Sequence, residues 1–473
     1  MPNLNVLSER YATDEINNIF SDEGRILLER ELFIAILKAQ KDLGVDIPDE
    51  AIIAYENAKN KIDLKLIKEI ERRTKHDVKA KIEAFNIAAG GYEYIHEGLT
   101  SRDLTDNVEQ MQIKRASKVI FGKYVSVLKH LVDKALMYDS IILTARTHHQ
   151  AAQPTLLGRR FSMWAEELCK HLIEFEGFIE SYPLRGIKGA VGTQFDILSL
   201  LGSEEKVDEL EGRIAKHLGF QDVLDSPGQI YPRSFDFKFA SHLAALSSAC
   251  ENFSKGMRLM SGYELVTEGF KEGQVGSTAM PHKMNTRSSE RICSFAELLK
   301  MYADGASRLS GDQWEEGDVS DSALRRVIIP DMLYTSDGLC ETTLTVLNQM
   351  GVYPAVIGAE VDRYLPFLAT TELLTEATKK GMGREKAHEV IRKYAVKEAL
   401  RMRETGSLEN NLPALLGEDS EFPLKEFEIR KILEDRLHFV GRARKQIYST
   451  AEKAGKLFNK YSTEASYEPK SIL

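Results

Sequence analysis

The sequence predicts an all-α fold in three parts, built around a central bundle of long helices. Apolar residues recur at helical spacing over runs much longer than an ordinary helix. Prolines are sparse, with none between Pro48 and Pro154 or between Pro232 and Pro281, so those runs are free to continue. Strand-like alternation is too weak for a sheet core. Helices of this length need apolar partners along their whole span, and a bundle supplies them. The heptads are not strict, which argues against an isolated coiled coil.

Taken in order, residues 1–101 read as shorter helices broken at Gly44, Pro48 and Gly90-Gly91. Ser21 is an N-cap type; after it Leu28, Leu32, Ile36 and Leu43 share one face, and Gly44 supplies the stop. A long run follows at 102–139 with Val108, Ile113, Val119, Val125, Leu128, Val132 and Leu136. The next covers 155–181 (Leu157, Phe161, Trp164, Leu168, Leu172, Phe175), and a third covers 234–262 (Phe237, Phe239, Leu243, Leu246, Phe253, Met257, Met260). Segments 287–310 and 321–350 are also expected to be helical, with a kink at Pro330. Beyond Gly351-Val352-Tyr353-Pro354 the pattern shortens, and 405–424 reads as loop. The expected parts are thus 1–101, 102–352 and 353–473, with no tandem repeat.

Bulk properties exclude several classes. The 473 residues are 43% hydrophobic, enough for an extensive core, and the net charge of −9 gives no global pull toward nucleic acid or an acidic membrane. The first ten residues lack an apolar signal segment, and nothing approaches a membrane-spanning run. Cys169, Cys250, Cys293 and Cys340 are scattered without metal-ligand or disulfide spacing and read as buried apolar residues. A reduced, soluble, cytoplasmic protein without a metal centre is the expectation.

Four polar segments carry possible chemistry. Gly273 to Asn285 cannot continue a helix, and it offers Ser277, Thr278, His282, Lys283 and Asn285, followed by Arg287. It reads either as a lid over a site or as a solvated turn. Arg146-Thr147-His148-His149-Gln150 holds two histidines that point differently on any regular backbone; one could act as an acid or base, or simply satisfy a hydrogen bond. Arg72-Arg73-Thr74-Lys75-His76-Asp77 is either an anion clamp or a solvated helix face. Thr100 and Ser101 cap the expected long helix, whose N-terminus could also receive an anion. No phosphate-binding glycine loop, GxSxG elbow or HExxH motif is present.

Together these segments resemble the fumarase/aspartase superfamily. Its signature loop reads approximately GSSxMPxKxN, and Gly276-Ser277-Thr278-Ala279-Met280-Pro281-His282-Lys283-Met284-Asn285 fits with Thr278 for the second serine. His282 before Lys283 is similar to the adenylosuccinate and carboxymuconate branches; fumarases and argininosuccinate lyases usually carry Gly or Gln there. Ser8 to Ala12, Lys75-His76-Asp77-Val78, Gly98 to Ser101, Thr147-His148 through Gln153, Gly228 to Tyr231 and Ser289-Glu290-Arg291 all resemble segments of the adenylosuccinate lyase family, in its order and over nearly the full chain.

That resemblance implies a homotetramer with a twenty-helix core and sites drawn from three subunits. It also implies elimination of fumarate from adenylosuccinate and from succinyl-aminoimidazole-carboxamide ribotide, in purine nucleotide biosynthesis. The family pattern makes Ser277 the general base and His148 the general acid. Lys283 and Asn285 would stabilise the intermediate, and Lys75, His76 and Asp77 would hold substrate. Arg10, Tyr11, Thr100, Ser101, Gln229, Arg291, Ser322 and Arg326 match further substrate-binding positions. No metal, organic cofactor, nucleic acid or membrane is implied.

The chain also departs from the pattern. His149 and Ala151 stand where Phe and Pro are common, and Thr286 replaces a frequent Pro. Gly317 occupies a position where many members carry a substrate-binding Arg, for which Arg325 or Arg326 is the expected substitute. Two rival readings are a carboxymuconate-cycloisomerase-like enzyme, disfavoured by Lys75-His76 and Arg10-Tyr11, and a non-catalytic helical bundle. Packing alone requires none of Ser277, His148, Lys283 and Asn285.

Overall fold

A computed structural model describes residues 5–269, 280 and 282–470. The chain begins with α1 (Val6–Arg10), α2 (Asp14–Phe20), α3 (Asp22–Asp42), α4 (Asp49–Ala58), α5 (Leu64–Thr74) and α6 (Asp77–Ala88). The Ser21 hydroxyl accepts the Gly24 amide at 2.9 Å to start α3, and Gly44 follows its end at φ +99°. Both ends of α3 therefore lie where the sequence signals put them.

Five long helices form the body: α7 (Ser101–Met137), α8 (Leu157–Ser181), α11 (Ser234–Gly262), α12 (Arg287–Leu309) and α13 (Ser322–Gln349). Short α9 (Phe195–Leu201) and α10 (Glu204–Leu218) lie between α8 and α11. Side-chain contacts fix the relative directions of the long helices. Arg233, just before α11, pairs with Asp106 near the start of α7 and with Asp321 just before α13, so these three helices start together. The Gly158 amide, opening α8, donates to Tyr138 at the end of α7, while Gln110 donates to Pro183 beyond the end of α8; α8 is antiparallel to α7. Glu268, after α11, accepts the Ser288 and Ser289 amides opening α12, which therefore runs back along α11. α13 continues through Pro330 as one element.

The largest core joins apolar residues of these helices, among them Leu128, Phe161, Phe175, Leu243, Phe253 and Leu339, all fully buried. The last part comprises α14 (Pro354–Leu368), α15 (Thr370–Lys379), α16 (Arg384–Thr405), α17 (Leu412–Glu418), α18 (Glu426–Glu434), α19 (Ala443–Lys460) and α20 (Ser462–Ala465). Leu373, Ile391, Leu412 and Ile429 centre a separate small core, whereas α19 returns to pack on α7 and α8. The all-α expectation holds. One local difference is α17, which lies inside the stretch read as loop; Pro413 sits in its first turn, where a proline is tolerated.

A second difference is a β-hairpin of β1 (Ile142–Thr147) and β2 (Gln150–Leu156), which joins α7 to α8. Thr147 pairs with Gln150, leaving His148 and His149 as a two-residue loop at φ 49° and 61°. This is the type I′ geometry that hairpins favour, usually built from Asn-Gly. Two histidines carry no such signal, so the turn is not legible in the residues themselves. Two-residue strands β3 (Val266–Thr267) and β4 (Gly351–Val352) tie the chain after α11 to the chain after α13. Among the described residues, no helix is long and apolar enough to cross a membrane.

Candidate functional site

The start of α7 gathers the first group of expected site residues. Thr100 and Asp103 form a reciprocal capping box, with the Thr100 amide donating to Asp103 Oδ2 at 2.8 Å. The other oxygen of this buried carboxylate accepts from Arg185 Nη1 at 2.6 Å and from the Lys188 and Gly189 amides. Arg185 also donates to the Gly228 carbonyl at 3.2 Å. One aspartate thus caps the helix and anchors the loop that lies beside Gln229. Gln229 donates its side-chain amide to Ala190 at 3.0 Å and its backbone amide to Glu316 at 2.7 Å.

His76 approaches the same region. It caps α6, accepting the Lys79 amide on Nδ1 at 3.3 Å, which places its own proton on Nε2. Lys75 before it has left-handed backbone, φ 56°, forced by the tight junction between α5 and α6. Lys75, His76 and Asp77 are all exposed. Half-buried His96 is held below the usual histidine range, chiefly by burial; Asp103 opposes this and His76 adds to it. His76 is thus within charge range of His96, which stands four residues before the Thr100 cap.

Ser322 opens α13 at this same end, and exposed Arg326 follows one turn later. Arg325 is not available to replace an arginine at 317, correcting that half of the expectation. It is buried, with Nε on Asp236 and Nη1 on Glu109, each at 2.7 Å, and its Nη2 donates to the Tyr231 hydroxyl. Gly317 itself has φ +138°, and a Cβ there would stand 2.9 Å from Ile230 Cγ1.

A second group lies against α12 and α13. The Arg291 guanidinium sits 5.4 Å above the Tyr11 ring, which packs edge-on to Phe295 at 5.0 Å. Arg10 ends α1 nearby and is exposed. Lys283 and Asn285 precede α12; Lys283 is exposed and its amide donates to Met280 at 3.0 Å. Glu268, absent from the sequence reading, anchors the start of this helix by accepting the Ser288 and Ser289 amides and the Ser289 hydroxyl. Ser277 and Thr278 lie outside the described residues.

His148 shares the hairpin tip with His149 and is exposed. The hairpin lies at the far end of the bundle: His149 Nε2 is 3.3 Å from the hydroxyl of Tyr263, which caps the C-terminus of α11. With about 1.5 Å per residue, α7 is roughly 55 Å long. One chain therefore gathers Thr100, Ser101 and Gln229 at the start of α7, with His76 on the adjoining segment, and Tyr11 with Arg291, but holds His148 far from the first group. Among the described residues, no cluster of His, Cys, Asp or Glu is arranged to hold a metal ion.

Arg185, Glu268 and Asp103 are not legible as site residues in the sequence, because each acts through a partner remote in the chain. Only Asp103 left a local trace, as the third residue after the Thr100 cap.

Comparison with known proteins completes the picture. A family model described as "Lyase" matches residues 9–297, and another described as "Adenylosuccinate lyase C-terminus" matches 366–449. The protein named adenylosuccinate lyase from Saccharomyces cerevisiae is 34% identical over 455 residues, covering 94% of this chain and 93% of its own. That from Schistosoma mansoni is 32% identical over 447 residues, with the same coverage of each chain, 94% and 93%. In fold, the chain is similar to 3-carboxy-cis,cis-muconate lactonizing enzyme from Pseudomonas putida, with TM-score 0.80, 19% identity and coverage of 95% and 99%. By its family matches and its likeness to these relatives along nearly its whole length, the chain belongs to the adenylosuccinate lyase family.

Proposed function

We propose that this protein is a C–N lyase that releases fumarate from adenylosuccinate, leaving AMP, and from succinyl-aminoimidazole-carboxamide ribotide, leaving the carboxamide ribotide. The observation that carries this reading is the likeness to enzymes named adenylosuccinate lyase over 94% of the chain. The role is in purine nucleotide biosynthesis, in the cytoplasm.

The reaction removes a proton from the carbon beside a succinyl carboxylate, forms the fumarate double bond and breaks the C–N bond. Proton removal builds a second negative charge next to an existing carboxylate. Lys283 and Asn285 are the groups assigned to stabilise it. Ser277 takes the proton; a serine needs desolvation and nearby positive charge to act as a base. His148 returns a proton to the departing nitrogen, help worth about 10²–10⁴-fold. The α7 N-terminus, with Thr100 and Ser101, suits a substrate anion because its free amides and helix dipole favour negative charge. His76, with its proton on Nε2, offers a donor beside it, and Lys75, Asp77 and Gln229 complete that wall. Arg10, Tyr11, Arg291, Ser322 and Arg326 are assigned to further substrate oxygens.

The distance between His148 and the α7 N-terminus within one chain supports an active form, a homotetramer by the family resemblance, whose sites combine parts from several subunits. The decisive assay incubates purified protein with adenylosuccinate and follows the loss of substrate ultraviolet absorbance. Turnover is expected, and none at micromolar enzyme overturns the assignment. His148→Ala and Ser277→Ala are each expected to lower kcat by ~10²-fold or more with folding intact; near-normal kcat in either removes that residue's role.

A further inference from the structure

The His148 turn has an unusual support. Its two central residues, neither of them glycine, both hold left-handed backbone, a conformation that persists only where the surroundings enforce it. The strand register also slips between Thr144 and Arg146, and bulges of this kind re-aim side chains. Arg146 carries the contacts that could do the enforcing. Its guanidinium pairs with Glu360 of α14, both side chains being largely buried. It also lies 4.3 Å above the Tyr263 ring and 5.7 Å above the Tyr364 ring, while the Tyr263 hydroxyl faces His149 on the other side.

Two cavities border the clamp. A cavity of about 510 Å³ lined by Arg146, His149, Trp164 and Tyr263 lies on one side. Another of about 1120 Å³ is lined by Tyr263, Glu360 and Tyr364, the partners of Arg146. With a cavity bordering the turn at Arg146 and His149 and another bordering the Glu360 and Tyr263 side of the clamp, the turn's orientation depends on these polar and stacking contacts as well as on packing against α14. Burial would weaken the Arg146 charge, but the Glu360 hydrogen bond and charge outweigh it and hold the guanidinium above the ordinary arginine range.

We propose that Arg146, Glu360 and Tyr263 are positioning residues that hold the strained turn and thereby aim the His148 imidazole. The clamp also makes α14 and the C-terminal cap of α11 joint determinants of the rate of proton delivery. The kinetic part of this inference rests on the general-acid role of His148 given above.

The test uses the full-length enzyme carrying Glu360→Gln, which keeps size and removes the charge. Three readouts are compared with wild type: kcat and KM for adenylosuccinate, the pH profile of kcat, and the ring signals of His148 in histidine-labelled protein. Expected are a kcat loss of about tenfold with KM within about twofold, a displaced pH limb, and a shifted or broadened His148 signal. Glu409→Gln, in the same cavity wall, serves as the control. Unchanged kcat and an unchanged His148 signal overturn the proposal, as does an equal loss in both variants. If Glu360→Gln fails to fold, Tyr263→Phe must show the same kcat loss and signal change, and a wild-type result there is also fatal. His148→Ala separates the two claims. Should it retain activity, the acid assignment falls, while the His148 signal in Glu360→Gln still decides whether the clamp exists.

Discussion

At Gly317, backbone and neighbour together decide what the residue can be. The arginine that the resemblance led one to expect there does not fit this backbone, because φ is +138° and any Cβ meets Ile230. Gly317→Arg is therefore expected to cost about 1–3 kcal/mol of stability and to leave the KM for adenylosuccinate no lower. Thermal unfolding and initial rates check this; a lower KM with an unchanged melting temperature contradicts it. Asp103 shows why such positions are hard to read beforehand. Its neighbours in sequence reveal a capping box, but its second task, receiving Arg185 and two loop amides, depends on a segment some eighty residues away. The histidine pair was visible as chemistry but not as geometry. Nothing in His148-His149 announces a two-residue turn, since only the pairing of β1 with β2 imposes it.

The long helices were legible as elements because each has an apolar face at the helical period and an identifiable start, as with Thr100 and Ser21. Their partners were not. Lys123 is buried midway along α7, and its ammonium lies 2.8 Å from Glu341, pairs with Asp337 and contacts Thr13 at 3.1 Å. Burial alone would depress its charge, but the two carboxylates outweigh that and hold it above the usual lysine range. Lys123→Met leaves two buried acids without their cation, so a loss of about 3–5 kcal/mol is expected in denaturant titration. A loss below about 1 kcal/mol would show that the acids relax at little cost. A second consequence concerns pH. On α11, His242 packs against Phe175 and Phe178 of α8, with ring centroids 5.8 and 5.0 Å away. Burial, then Lys238, holds it below the usual histidine range, with Glu174 opposing and His171 reinforcing. A depressed histidine stabilises the fold above its unfolded pKa of about 6.5, and that contribution is lost as pH falls toward the folded value. The melting temperature should thus fall less steeply between about pH 7 and 5 in His242→Phe than in wild type; parallel curves would exclude the residue from the acid response.

At the scale of the molecule, the decisive fact is distance. His148 and the Thr100–Ser101 group stand at opposite ends of a bundle whose first helix is roughly 55 Å long, well beyond the reach of a nucleotide-sized substrate. The separation was legible in the sequence, where one long apolar run at 102–139 parts Thr100 and Ser101 from His148; which elements of other segments gather at each end was not, because that depends on the parallel and antiparallel courses of α8, α11 and α12. If Ser277 and His148 act in the same site from different subunits, two inactive variants must rescue each other. Ser277→Ala supplies intact His148, and His148→Ala supplies intact Ser277. In tetramers assembled at random from equal amounts of both, about a quarter of the sites receive a working copy of each residue. Co-expression of differently tagged chains, followed by isolation of mixed tetramers, should therefore recover on the order of a quarter of wild-type kcat, against nearly none for either parent. Were both residues drawn from one chain, every site would lack one of them and mixing would restore nothing. The same measurement made with Glu360→Gln and His148→Ala tests the clamp, because Glu360 can aim only the His148 of its own chain. Every site with an intact histidine then has a defective clamp, and the mixture should stay at or below the rate of Glu360→Gln alone.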